Sequence, residues 1–110
     1  DHAGHTHGGH SAEYRAAVAG QDYDLAIAIP HWRDAGYAVL VTADHGRNSE
    51  GHGGTSEEER NVPLYAVPPT DREVAAAGDI LEQTQIAPTI CELLGLKKPD
   101  SMTADPIQLW

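Results

Sequence analysis

The feature that most constrains this chain is the short apolar run Tyr37-Ala38-Val39-Leu40-Val41-Thr42, which leads directly into Asp44-His45-Gly46. A brief stretch rich in β-branched residues, nearly without polar interruption, reads as a strand buried on both faces. Strands of that kind belong to sheets covered by helices, and open α/β sheets collect their ligands just past the carboxyl ends of their strands. An Asp-His pair at that point favours chemistry over packing. The expected fold class is α/β.

The flanking segments fit that class. Ser11 is a suitable N-cap, and Tyr14, Val18, Leu25, Ile29 and Trp32 recur at the spacing of one helix face, so a helix is expected from Ser11 to Gly36, broken or kinked near Gly20 and Pro30. After the strand comes a polar, Gly-rich loop from Ala43 to Asn61, in which Thr55-Ser56-Glu57-Glu58 resembles a capping box over one helical turn. Val62 to Val67 is a second apolar stretch, which Pro63, Pro68 and Pro69 demote to a short or edge strand. Residues 70 to 79 read as a surface connection. Thr84 to Gly95 reads as a helix, with Pro88 tolerated in the first turn and Gly95 at its end. The tail from Lys97 to Trp110 has no clear period, and Asp1 to His10 reads as loop.

A chain of 110 residues and net charge -10 has room for one small domain with a thin core. The charge argues against a nucleic-acid backbone or an anionic membrane surface as partner. No apolar run approaches the roughly 20 residues of a membrane helix, and the opening residues do not read as a signal peptide, so a soluble protein is expected, its compartment unassigned. Cys91 stands alone, which excludes a disulfide-stapled scaffold.

Seven histidines are the compositional outlier. Divalent metals need carboxylate oxygens and neutral imidazole nitrogens converging on one point. Three clusters offer them: Asp1 with His5 in DHAGH, Asp44 with His45 in TADHG, and His52 in GHGG. Each alone has a plainer reading, as a tag-like His-rich terminus, an N-cap with a solvated neighbour, or an exposed loop histidine. Their order around one strand end favours ligation, and five ligands fit two metals better than one.

Two further readings compete. A non-catalytic zinc-binding protein could use DHAGHTHGGH by itself, and an acidic interaction module could leave its histidines solvated. The first predicts that metal binding survives loss of Asp44, His45 and His52, and the second that no ion binds.

The string VLVTADHGRNSEGHGGTSEEERNVPLYAV resembles the C-terminal metal-binding part of the alkaline phosphatase superfamily, closest to its type I phosphodiesterase and nucleotide pyrophosphatase branch. DHAGHTHGGHSAEYRAAV resembles the preceding metal motif of that branch, and QIAPTICELLGL its helix near the C-terminus. The superfamily also contains cofactor-independent phosphoglycerate mutases, sulfatases and phosphonoacetate hydrolases. The resemblance implies part of an αβα sandwich with a mostly parallel sheet. It implies that Asp1, His5 and His52 ligate one metal and Asp44 and His45 a second, usually zinc, with other divalent metals admissible. His7 and His10 are left for contact with substrate or with the ligands, and His31 for the helix surface.

The activity implied is metal-dependent hydrolysis of a phosphodiester or nucleotide pyrophosphate. The strand bearing the family's first Asp and its Ser or Thr nucleophile has no counterpart here, and Thr6, Ser49 and Thr55 do not match that nucleophile's context. The expectation is one partial domain over residues 1–110, a C-terminal portion needing the missing N-terminal half or another chain, with a phosphate ester as substrate. Unpaired sheet edges would favour a homo-oligomer.

Overall fold

The computed structural model describes residues 1–73 and 80–110. Its elements run α1 (His2–His7), α2 (Ala12–Asp34), β1 (Val39–Val41), α3 (Glu57–Arg60), β2 (Tyr65–Val67), a 3-10 turn at Gln83–Gln85 and α4 (Ile86–Leu93). Of the surface connection expected over 70 to 79, residues 74–79 lie outside the described residues.

The first ten residues are not loop throughout. Asp1 and His5 stand four apart and meet at 2.7 Å between Asp1 Oδ2 and His5 Nε2, while the Thr6 hydroxyl donates to the His2 carbonyl at 3.1 Å. These local contacts hold one and a half turns of helix that composition did not signal. Gly8, at φ 85, ends α1 and turns the chain towards α2. Ser11 caps α2 as expected, its Oγ accepting from the Tyr14 N–H at 3.0 Å.

Of the break or kink expected near Gly20 and Pro30, no break occurs, since α2 is one helix of 23 residues with Pro30 inside it. No residue of α2 is buried. Tyr14, Leu25 and Ile29 on the expected apolar face are half-buried, whereas Val18 and Trp32 on the same face are exposed. His31 is exposed, as expected.

β1 is shorter than the apolar run that contains it, and of its residues only Val39 is buried. The expectation was a mostly parallel sheet. Among the described residues the sheet has two strands and they are antiparallel, with Val39 opposite Val67, Leu40 opposite Ala66 and Val41 opposite Tyr65. The reason lies in the connection. A parallel partner needs a crossover that returns the chain to the same end of the sheet, whereas residues 42–64 carry only the four-residue α3 and double back beside β1. β2 is the short strand expected from its prolines.

The capping turn forms one residue later than expected, with Ser56 and Glu59 as the reciprocal pair. The Ser56 hydroxyl donates to Glu59 Oε2 at 2.6 Å, and the Gly54 N–H donates to Glu59 Oε1 at 2.9 Å. α4 forms where expected and closes at Gly95, φ 65. Thr89, only 1% exposed, fastens the tail to it by donating to the Gln85 carbonyl at 2.6 Å and accepting from the Ile107 N–H at 2.8 Å.

The surface is large for the mass. A compact 11.8 kDa chain exposes about 5,900 Å², against 7996 Å² here. The radius of gyration is 15.9 Å, where about 13 Å suits this length. Apolar side chains of α2, and Leu94 and Leu96 after α4, remain in solvent. No helix is long and apolar enough to cross a membrane among the described residues.

Candidate metal centre

Two segments far apart in sequence build the site: α1, and the loop that follows β1. The loop is held from several sides. The Gln83 amide donates to the carbonyls of Ala43 and Asp44, both at 2.8 Å. The Gly46 N–H donates to the Glu59 carbonyl at 2.8 Å. Asn48 Oδ1 accepts from the N–H groups of Glu50 and Gly51 at 2.9 and 2.7 Å, closing the tight turn that presents His52.

His52 meets α1 across this turn. Its Nε2 lies 3.2 Å from His5 Nε2, and the two rings meet edge to face at 5.0 Å. His45 stacks on a face of His52, with ring centroids 3.9 Å and planes 14° apart. Asp1, already on His5, completes a group in which ligand atoms of Asp1, His45 and His52 all lie within 4.8 Å of one another. The structure thus brings together Asp1, His5, His45 and His52.

Asp44 stays at the rim. Its side chain is 89% exposed, with Oδ2 3.7 Å from His45 Nε2. His10 turns away to Glu58, Nε2 to Oε2 3.2 Å, and His7 is exposed on the last turn of α1.

The donor chemistry fits a divalent cation. Four ligands about 2.0–2.1 Å from a tetrahedral zinc stand about 3.3 Å apart, close to the 3.2 Å between the Nε2 atoms of His5 and His52. His45 Nδ1 donates to the Gly46 carbonyl at 2.9 Å, which leaves its Nε2 lone pair free for an ion. The ligand atoms of Asp1, His45 and His52, all within 4.8 Å of one another, are likewise near enough to converge on an ion.

One residue that sequence reasoning passed over is central. Arg47 follows the Asp-His-Gly motif directly, its side chain is 3% exposed, and one terminal guanidinium nitrogen donates to Asp1 Oδ1 at 2.6 Å. The available signal was its sign, for it is the single basic residue between Asp44 and Glu59. Gln83 was missed for want of any local signal, because it acts from a separate element.

Electrostatics favour neutral His52. Loss of solvation, followed by the nearby His45, Arg47 and His5, lowers its pKa from the ordinary histidine value. Glu59 is also held below its usual range, chiefly by the Ser56 hydroxyl and the Gly54 N–H. Both shifts act in one direction on the metal-free chain. The unfolded chain protonates His52 at higher pH than the folded one does, so stability falls as pH drops below the ordinary histidine range. The contribution of Glu59 is present above the ordinary carboxylate range and is lost as pH falls through its lowered value. Two-dimensional NMR titration should show His52 protonating after an unstructured histidine as acid is added, and an ordinary value would remove this part of the pH dependence.

Comparison with known proteins gives distant relatives, several of them phosphoglycerate mutases. The chain is 34% identical over 103 residues to the 2,3-bisphosphoglycerate-independent phosphoglycerate mutase of Halobacterium salinarum, covering 86% of this chain and 20% of the relative. It is 36% identical over 105 residues to the enzyme of the same name from Cereibacter sphaeroides, with the same coverage of both chains. For that of Pseudomonas fluorescens the identity is 33% over 108 residues, covering 90% of this chain and 21% of the relative. The chain therefore spans about a fifth of the length of these relatives. Mutases of this kind are phosphoryl-transfer enzymes of the superfamily that the motifs resemble. No family model matches the chain, and no solved structure matches it.

Proposed function

We propose that this chain supplies the C-terminal part of a two-metal centre for phosphoryl transfer, acting with a nucleophile-bearing portion carried by further chain or by a partner. The observation that carries the reading is the convergence of Asp1, His5, His45 and His52 from two distant segments at distances suited to metal ligation. The large open surface, with apolar residues of α2 in solvent, supports a larger assembly.

In this reading Asp1, His5 and His52 hold one ion, while Asp44 and His45 hold the other, Asp44 having the freedom at the rim to turn inward. A pair of divalent ions would supply Lewis acidity to the phosphoryl oxygens and to the attacking and leaving oxygens. The chain's own part is to hold the His52 imidazole neutral, to point His45 Nε2 inward through the Nδ1 contact with Gly46, and to join α1 to the loop. Zinc is the proposed metal because the donors are mainly imidazole, and manganese or another divalent ion suits the carboxylates.

A phosphate monoester such as phosphoglycerate, transferred between positions of one molecule, is the reaction that the relatives support. Hydrolysis of a phosphodiester or nucleotide pyrophosphate rests on the motif resemblance alone and is the second reading. Product analysis separates them in an assembly of this chain with its complementary portion. Interconversion of 3- and 2-phosphoglycerate without phosphate release would support the first, and nucleoside monophosphate from a dinucleotide the second.

The metal site itself is tested on the full chain by zinc titration calorimetry. His52→Ala is expected to weaken the tighter zinc site by about 100-fold or more, beyond the roughly 10- to 100-fold that loss of a ligand's outer partner costs, since a ligand is lost outright. Unchanged affinity would overturn the site. Binding that survived this change and Asp44→Ala with His45→Ala, yet vanished on deleting residues 1–10, would establish the non-catalytic His-rich reading instead.

A further inference from the structure

We infer that Arg47 is a positioning residue for the metal centre: it pins Asp1 Oδ1 so that Oδ2 alone faces the ion and the α1 imidazole. The inference rests on the proposed metal site and adds a role for a residue that provides no ligand atom.

Three observations carry it. Arg47 is an almost fully enclosed charge, 3% exposed, in a chain where, apart from prolines, Val39 is the one buried apolar side chain among the described residues. Enclosing a guanidinium is costly unless it is paired, and Asp1 is its ion-pair partner. The two oxygens of that carboxylate are divided, Oδ1 to Arg47 at 2.6 Å and Oδ2 to His5 Nε2 at 2.7 Å. With one oxygen committed, Asp1 offers a single donor in a fixed direction, whereas a free carboxylate could rotate, chelate with both oxygens or leave the site.

The third observation is the shape of the cradle. A Cβ at Gly4 would meet the Arg47 guanidinium, with Cδ at 2.6 Å and Cζ at 2.9 Å. One at Gly9 would meet Arg47 Cγ at 2.8 Å and the carbonyl oxygen of Asn48. The Arg47 stem thus occupies a groove floored by two glycines of the 1–10 segment. That contact joins α1 to the Asp44-His45-Gly46 loop and sets how far Asp1 and His5 stand from His52.

The test is a cobalt(II) titration of the full chain followed by visible absorption, which reads coordination geometry as well as affinity, with zinc competing for the site. Arg47→Met keeps most of the stem and removes the charge. It is expected to weaken zinc by about 10- to 100-fold, the range for lost partners of metal ligands, and to change the cobalt spectrum as the carboxylate reorients. Arg47→Lys should recover part of that loss, because an ammonium restores charge without the planar fork.

Gly4→Ala tests the cradle with Arg47 left in the sequence. Alanine favours the helix over glycine, so an affinity loss accompanied by intact or increased helical circular dichroism isolates displacement of the guanidinium from unfolding. This variant and Arg47→Lys decide the matter if Arg47→Met does not fold. Affinities within twofold of the unsubstituted chain for both Arg47→Met and Gly4→Ala, with His52→Ala still losing the ion, would overturn the role of Arg47 while leaving the metal site standing. An unsubstituted chain that takes up no cobalt would overturn both.

Discussion

Gly46→Ala is expected to be the most damaging single methyl that the site can receive. The Gly46 N–H donates to the Glu59 carbonyl at 2.8 Å, drawing its Cα against the backbone of α3. A Cβ there would overlap the Glu58 carbonyl oxygen and would lie 2.9 Å from the Asn61 carbonyl oxygen and 3.0 Å from the Glu58 carbonyl carbon. These are backbone atoms of a turn already fixed by Ser56 and Glu59, so no side chain can swing aside to relieve the clash. The loop must separate from α3, losing the Gly46 bond and tilting His45 away from His52.

Overpacking of this sort costs about 3 kcal/mol, a large share of the roughly 5–15 kcal/mol that holds a small domain together. Urea unfolding provides the measurement. Gly51→Ala is the control, because nothing lies within 4 Å of a Cβ built there, and its effect should stay within about 0.5 kcal/mol. Equal midpoints for the two variants would show that the Gly46 contact does not constrain the loop. The same Gly46→Ala protein should bind zinc weakly, since the contact that orients His45 is lost.

Metal occupancy should then govern the stability of the whole chain. The ligands come from α1 and from the loop after β1, segments that hold each other mainly through Arg47, Asp1 and the paired imidazoles. With Val39, Pro68 and Pro88 the buried apolar side chains among the described residues, little apolar burial competes with that contribution. An ion that binds only the folded chain stabilises it by about 4 kcal/mol at a thousandfold excess over its dissociation constant. For a domain of this size that corresponds to a rise in melting temperature of roughly 15–30 °C.

Differential scanning calorimetry with zinc, then with excess chelator, should show the rise and its complete reversal. In His52→Ala, at the same zinc concentration, the rise should fall to about a third or less. A melting temperature indifferent to zinc and chelator in the unsubstituted chain would mean that the histidine cluster is a packing arrangement without an ion, and would return the acidic interaction module as the better reading.

The features legible in the sequence are those whose causes are local. Ser11 caps a helix because its own hydroxyl reaches three residues on, α4 ends where Gly95 accepts a positive φ, and β-branched residues before Asp44 make a strand wherever their side chains are partly covered. The same locality placed Asp44 and His45 after the strand and singled out His52 in its glycine turn. Features resting on contacts across the chain were illegible. DHAGHTH reads as loop by composition and folds as helix with Gly4 lying directly on Arg47, 43 positions away. Pro30 should break a helix, yet α2 runs through it.

The antiparallel pairing of β1 with β2, the approach of Gly46 to α3 and the sharing of Asp1 between Arg47 and His5 likewise emerge only in three dimensions. Residue types specify which groups can ligate a metal. Which of them converge depends on a buried guanidinium and a backbone contact, and neither leaves a periodic mark in the sequence.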